Sequence, residues 1–286
     1  STLVCNPQKE HNHTFIFLHG RGIPPTKLAH ALLSSESPKK ATLQSAFPHA
    51  KLLFPTAPMT PPLIFDETRS EGSETIFVSQ WFHSWAQPDS IEEEEIYIGG
   101  LNAGCPYLHK LLEQEIKLVG KKNVVLWGLR QGAAMALSTL LTWEGESFGA
   151  IIGSNGWLPF NRLVWQFANG EDSEIRNDEY FDPDNFWPKE NDDDEDFDWP
   201  TKAIKYFRFE VLLPEKRGEV FKHIPLFLGQ SKNTEAKRLG RDAKRSLDLV
   251  GAKAKMIEYD SRLCVHGYSE EMLDDIFDFL RDRLRK

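Results

Sequence analysis

Along this chain, short unbroken apolar runs change places with stretches whose apolar positions repeat at helical spacing. Residues 13 to 18 read as a buried strand that stops at His19-Gly20-Arg21-Gly22, and a loop with Pro24 and Pro25 follows. From Thr26 to about Leu33, the residues Leu28, Ala29, Leu32 and Leu33 fall on one helical face. Lys51 to Phe54 then form a second strand that ends at Pro55. A strand-helix-strand unit of this size implies parallel pairing.

Residues 58 to 90, rich in Pro, Ser, Thr and aromatics without a sustained period, read as a long loop carrying Trp81, Phe82 and Trp85. From Ile91 to Val119 the helical spacing returns, and Gly99, Gly100, Gly104 and Pro106 predict that the helix is broken. Val124 to Trp127 is a strand running straight into a helix from Gln131 to about Leu141, and Ala150 to Gly153 is the next strand. The remaining core pattern is a strand at Ile224 to Leu228, a helix at Glu235 to Leu249, and a strand at Lys255 to Tyr259. It closes with a helix that places Met272, Leu273, Ile276, Phe277 and Leu280 on one face. These elements predict one α/β domain over residues 1–286, with residues 161–220 inserted as a lid-like segment.

Composition sharpens this picture in one place. At 40% hydrophobic and 12% aromatic residues, 286 residues suffice for a large core and mark a folded, soluble chain. The net charge of −9 is not spread evenly: residues 171–198 hold 14 acidic and two basic side chains, which leaves +3 for everything else. That segment reads as solvated and is the candidate site for a basic protein partner. No basic stripe of the kind nucleic acids need is present, and no apolar run reaches the roughly 18 residues of a membrane span. Cys5, Cys105 and Cys264 are too few and too widely spaced for a disulfide framework or a zinc ligand set, and they suggest a reducing compartment. The first residues lack the features of a secretory signal.

The chemistry converges on Gly128-Leu129-Arg130-Gln131-Gly132, a strand-to-helix turn bracketed by two glycines. With Phe15-Ile16-Phe17-Leu18-His19-Gly20-Arg21-Gly22, Phe54-Pro55-Thr56-Ala57-Pro58, Gln80-Trp81-Phe82, Gly156-Trp157-Leu158-Pro159-Phe160 and His266-Gly267-Tyr268-Ser269, this turn falls in a distinctive order. In that order the chain resembles the acyl-protein thioesterase, lysophospholipase and carboxylesterase family of α/β-hydrolases, above all its longer fungal members. The resemblance implies an α/β-hydrolase fold: a mostly parallel twisted sheet, helices on both faces, and a pocket at the carboxyl ends of the strands. It also implies no cofactor, no metal, and a cytoplasmic monomer or homodimer.

A hydrolase of this kind needs a nucleophile, a histidine base, an orienting carboxylate and two backbone N–H groups for the oxyanion. Arg130 stands at the nucleophile position, and a guanidinium has no free electron pair with which to attack a carbonyl. Aligned on Leu228-Gly229, the family's acid falls at Thr234, with Glu235 one residue away. The base is retained as His266, and the His19-Gly20-Arg21-Gly22 loop offers the N–H of Arg21 opposite that of Gln131. Trp81, Trp157, Phe82 and Trp85 line an apolar pocket or anchor the long loop. Ser154 and Ser231 lie on loops opening toward the same pocket, and with Cys264 they are the candidates for a relocated nucleophile.

Arg130 carries two readings: drift after loss of function, or a cation turned toward a ligand. It sits at the positive end of the following helix, where a cation needs a compensating anion. His266 is likewise either a proton carrier or a histidine without a task. Three functions follow. The first is a pseudo-hydrolase that binds a small apolar carboxylate or carbonyl compound and supports a non-hydrolytic step such as isomerisation, dehydration or cyclisation. The second is an esterase or thioesterase with a moved nucleophile, and the third is a protein-interaction module.

Overall fold

The computed structural model describes residues 1–61, 77–83, 95–170, 199–213, 220–260 and 268–284. Seven strands form one sheet in the order β1-β3-β2-β6-β7-β8-β9. They are β1 (Thr2–Cys5), β2 (His13–Leu18), β3 (Ala50–Pro55), β6 (Val124–Leu129), β7 (Ala150–Ser154), β8 (Leu226–Ser231) and β9 (Ala254–Tyr259). All neighbours run parallel except β1, which pairs antiparallel with β3 at the edge. A two-stranded antiparallel ribbon, β4 (Met59–Thr60) and β5 (Val78–Ser79), stands apart inside the region read as loop.

Helices cover both faces because the parallel strands are apolar on both. Phe15, Phe17, Val125 and Trp127 point to the face packed by α1 (Pro25–Ser34), α2 (Leu43–Ala46) and α8 (Glu270–Leu284). Ile16, Leu18, Val124 and Leu126 point to the other. There they meet α3 (Ile98–Val119), α4 (Gln131–Thr142), α5 (Asn161–Ala168), α6 (Trp199–Glu210) and α7 (Thr234–Leu249).

α3 corrects the expectation of a broken helix. It runs unbroken from Ile98 to Val119 with Pro106 inside it. Its glycines serve close approach rather than interruption. A Cβ on Gly100 would collide with the backbone and Cβ of Phe82, and one on Gly104 would come within 2.7 Å of Met135 Cε.

The described ends of the 161–220 segment belong to the main core. Phe167 of α5 stacks on Tyr206 of α6 at 4.2 Å, and Phe160 meets Phe207 edge-on at 6.1 Å. Arg208 of α6, buried, pairs with Glu144 at 2.5 Å and donates to the carbonyl of Thr142 at 3.0 Å. Thr142 ends α4, so this cation caps a helix C-terminus where its charge is favoured. The acidic residues 171–198 lie outside the described residues.

Candidate functional site

The site is built on the turn between β6 and α4. Gly128 and Gly132 are required there by space. A Cβ on Gly128 would strike the backbone of Gly132, and one on Gly132 would strike the Leu18 carbonyl and come within 2.8 Å of the His19 carbonyl oxygen. With both absent, α4 seats directly on β2 and β6, and all twelve of its residues are buried. The price of the tight turn falls on Arg130, at φ 52° and ψ −116°. For a residue with a Cβ, such a backbone costs about 1–3 kcal/mol.

Neighbouring backbone holds Arg130 in this state. Its N–H donates to the Ser154 carbonyl at 2.8 Å, and its own carbonyl accepts from Ala133 at 2.9 Å and Ala134 at 3.1 Å. The side chain is exposed, and among the described residues no acceptor pairs with its guanidinium. The first turn of α4 contains no acidic residue and receives no side-chain cap. The helix N-terminus and Arg130 therefore add positive potential at the same place.

The His19-Gly20-Arg21-Gly22 loop packs against this vertex. A Cβ on Gly20 would sit 3.4 Å from Arg130 Cβ. His19 is fully buried: its Nε2 accepts from the Ala57 N–H at 3.1 Å, so its Nδ1–H donates to the Gly20 carbonyl at 2.9 Å. Burial holds its pKa below the usual histidine range, outweighing the Gly20 bond that works the other way. His19 is thus a neutral brace for the loop. The Arg21 side chain donates through Nε to Gln80 Oε1 at 2.8 Å, while no acceptor takes its backbone N–H among the described residues.

Residues 79–82 close the ring. Gly22 donates to the Ser79 carbonyl at 2.8 Å. Trp81 donates its backbone N–H to Gln131 Oε1 at 2.9 Å and its indole N–H to the His19 carbonyl at 2.9 Å. Gln131 returns a bond from Nε2 to the Phe82 carbonyl at 2.7 Å. Trp81 and Phe82 are therefore buried anchors of the loop. Trp157, half-buried, meets Phe82 edge-on at 6.1 Å, and its buried indole Nε1 has no hydrogen-bond partner among the described residues.

Gln80, read from the sequence only as part of the Gln80-Trp81-Phe82 segment, has a bracing role of its own. Its Oε1 accepts from Arg21, and its Nε2 donates to Thr60 Oγ1 at 2.6 Å and reaches His83 Nδ1 at 3.2 Å. Its place just before Trp81-Phe82 was the available signal.

The two serines do not sit as expected. Ser154 is the last residue of β7, fully buried, and its Oγ accepts from Trp127 Nε1 at 3.2 Å. Ser231 is the last residue of β8, buried, and its Oγ accepts from the Asn233 N–H at 3.2 Å. Both lie at strand ends instead of on open loops, because each strand runs longer than its apolar run. At the acid position, Thr234 opens α7 behind Asn233, whose Oδ1 caps the Glu235 N–H at 3.1 Å. Glu235 is exposed in this first turn. His266, Cys264 and Trp85 lie outside the described residues. Among those described, no cluster of His, Cys, Asp or Glu could hold a metal, and no helix is long and apolar enough to cross a membrane.

Comparison with known proteins agrees with this architecture. The phospholipase/carboxylesterase family profile matches residues 1–176. Acyl-protein thioesterase 1 of Schizosaccharomyces pombe is 28% identical over 160 residues, which are 56% of this chain and 62% of that protein. A rice protein named as a probable inactive carboxylesterase is 28% identical over 150 residues, covering 51% of this chain and 54% of its own length. The alignments thus span somewhat under two thirds of these relatives. Among solved structures, acyl-protein thioesterase 2 of Zea mays superposes with a TM-score of 0.61 at 18% identity, covering 99% of both chains. A Bacillus cereus carboxylesterase gives 0.51 at 12% identity, covering 98% of this chain and 93% of its own. With its parallel sheet, its glycine-bracketed elbow and a family match over more than half its length, the chain belongs to the phospholipase/carboxylesterase family of α/β-hydrolases.

Proposed function

We propose that this protein is a pseudo-hydrolase: a hydrolase scaffold that binds a small apolar molecule through its carboxylate or carbonyl and does not form an acyl-enzyme. The observation that carries this reading is Arg130, a cation with no acid partner among the described residues, at the vertex of the elbow where a nucleophile would stand. In this role the guanidinium holds the anion, and the N–H groups of Arg21 and Gln131 face a carbonyl oxygen. His266 is the proton carrier for a non-hydrolytic step such as isomerisation, dehydration or cyclisation. The relatives' names point the same way in part, since one of them is a probable inactive carboxylesterase.

The burial of Ser154 and Ser231, each engaged by a donor, weighs against a relocated serine. The test pairs a fluorophosphonate probe, read by intact mass, with hydrolysis of short and medium acyl esters. The expected outcome is no adduct and no turnover, together with calorimetric binding of medium-chain carboxylates that Arg130→Ala weakens. A stoichiometric adduct on one residue would overturn the reading in favour of an active esterase.

A further inference from the structure

The carboxylate reading accounts for one positive charge at the site, and the structure holds two. Arg21 belongs to the His19-Gly20-Arg21-Gly22 loop that packs against the turn carrying Arg130, where a Cβ on Gly20 would lie 3.4 Å from Arg130 Cβ. Both side chains are exposed, and among the described residues neither has a carboxylate partner.

Arg21 is also oriented. Its Nε is held at 2.8 Å by Gln80 Oε1, and Gln80 is itself buried and fixed by Thr60 and His83. This leaves both terminal nitrogens of a planar donor fork for a ligand, with the flexible end of the side chain already restrained. Gln80 adjoins Trp81, whose N–H is bound by Gln131, the neighbour of Arg130. The two arginines are therefore mounted on one hydrogen-bonded ring of residues 19–21, 80–81 and 130–131. The uncommitted Arg21 N–H and the acid-free first turn of α4 add donors of the same sign.

We propose that Arg21 and Arg130 together form a dianion site whose ligand is a small phosphate monoester, its organic part lying toward the half-buried Trp157. A dianion matches two cations that no acid on the described chain neutralises, and phosphate oxygens suit arginine forks. This inference rests on the Arg130 reading and goes further by assigning Arg21 and the charge of the ligand. The site carries no nucleophile among the described residues, so binding is the function assigned to it.

The test is calorimetric titration of the full chain with phenyl phosphate, benzoate and phthalate at low salt. These are a phosphate dianion, a carboxylate monoanion and a dicarboxylate on one ring. Phenyl phosphate should bind at least about tenfold tighter than benzoate at pH 7.5, the scale expected for added charge-assisted bonds. Its affinity should rise as pH increases through about 6, where a phosphate monoester gains its second charge, while that of benzoate stays level. Arg21→Ala, which keeps the backbone N–H, should erase the preference for phenyl phosphate over benzoate. Arg21→Lys should restore part of it. Circular dichroism and the thermal midpoint establish that each variant is folded.

The outcomes separate the two claims. Equal affinity for phenyl phosphate and benzoate, or no effect of Arg21→Ala, overturns the dianion site and leaves the Arg130 reading standing. Phthalate alone as the tight ligand replaces phosphate with a dicarboxylate and overturns the assigned ligand. If Arg130→Ala changes no binding, or if none of the three anions binds, both claims fall.

Discussion

Replacing Arg130 by glycine and by alanine separates what the elbow backbone costs from what the cation costs. At φ 52° and ψ −116°, a side chain bearing a Cβ is strained by about 1–3 kcal/mol, and glycine is not. Glycine gives back about 0.5–1 kcal/mol through the extra freedom of the unfolded chain, so the net gain from relieving strain is about 1 kcal/mol. Removing a cation from the acid-free N-terminus of α4 adds about 0.3–1 kcal/mol at low salt, and this part is shared by Arg130→Ala. Urea unfolding should therefore rank stability as Arg130→Gly above Arg130→Ala above the native chain. In 1 M salt, where the screening length falls to about 3 Å, the alanine advantage should vanish and the glycine advantage persist. Each kcal/mol corresponds to about 2 °C in the thermal midpoint for a chain of this length. If Arg130→Gly unfolds at lower urea than the native protein, the guanidinium is holding the fold together, and the claim that it awaits a ligand is wrong.

The other predictions concern the frame around the vertex. Gly132→Ala places a Cβ against the Leu18 carbonyl and should cost at least about 3 kcal/mol or prevent folding, as judged by denaturant titration. Because His19 titrates below the usual 6.5, the unfolded chain takes up its proton first. Stability should be full above pH 6.5 and fall as pH drops from 6.5 toward the folded value, and nitrogen-15 shifts should show the proton on Nδ1. Burial pushes the Cys105 thiol up to about 12, so it should resist thiol reagents in the native state and react once the chain is unfolded. Lys51→Met leaves buried Glu115 with only the Thr14 hydroxyl at 2.8 Å and should destabilise by about 2–3 kcal/mol. Adding Glu115→Leu should recover most of that loss, read as a double-mutant cycle.

What the sequence disclosed depended on whether a pattern was local. The elbow was legible to within two residues at each end, because an apolar strand, two glycines and a helix of small residues are all adjacent in the chain. β1 was not, since Thr2–Cys5 alternates half-buried and exposed residues over only four positions and gains its place by pairing with β3 some fifty residues away. The unbroken α3 was misread for the same reason. Gly100 and Gly104 look like interruptions until Phe82 and Met135 are seen packed against them. At the elbow, the sequence placed Arg130 and the His19-Gly20-Arg21-Gly22 loop at strand ends, whereas Gln80 received no role there because its contacts are long-range hydrogen bonds to Arg21 and Thr60. Ser154 and Ser231 were placed too far out because polar residues at strand ends read as loop.

Retention of the elbow does not by itself argue for a working site. Gly128 and Gly132 are demanded by the seating of α4 on the sheet, and the backbone of Arg130 follows from that turn whatever chemistry is present. His19 and Gln131 are likewise explained by packing, since they brace loops through bonds that no ligand needs to complete. The same test applied to the arginines gives a different answer. The turn asks for glycine, asparagine or aspartate at position 130, residues that tolerate positive φ, and the helix N-terminus asks for an acid or a small polar cap. Arginine satisfies neither demand and makes no compensating contact among the described residues. A second cation, Arg21, is held in position by a buried glutamine and pairs with no acid among the described residues. Packing explains the cradle and does not explain the charges in it, which is the ground for the anion proposed above.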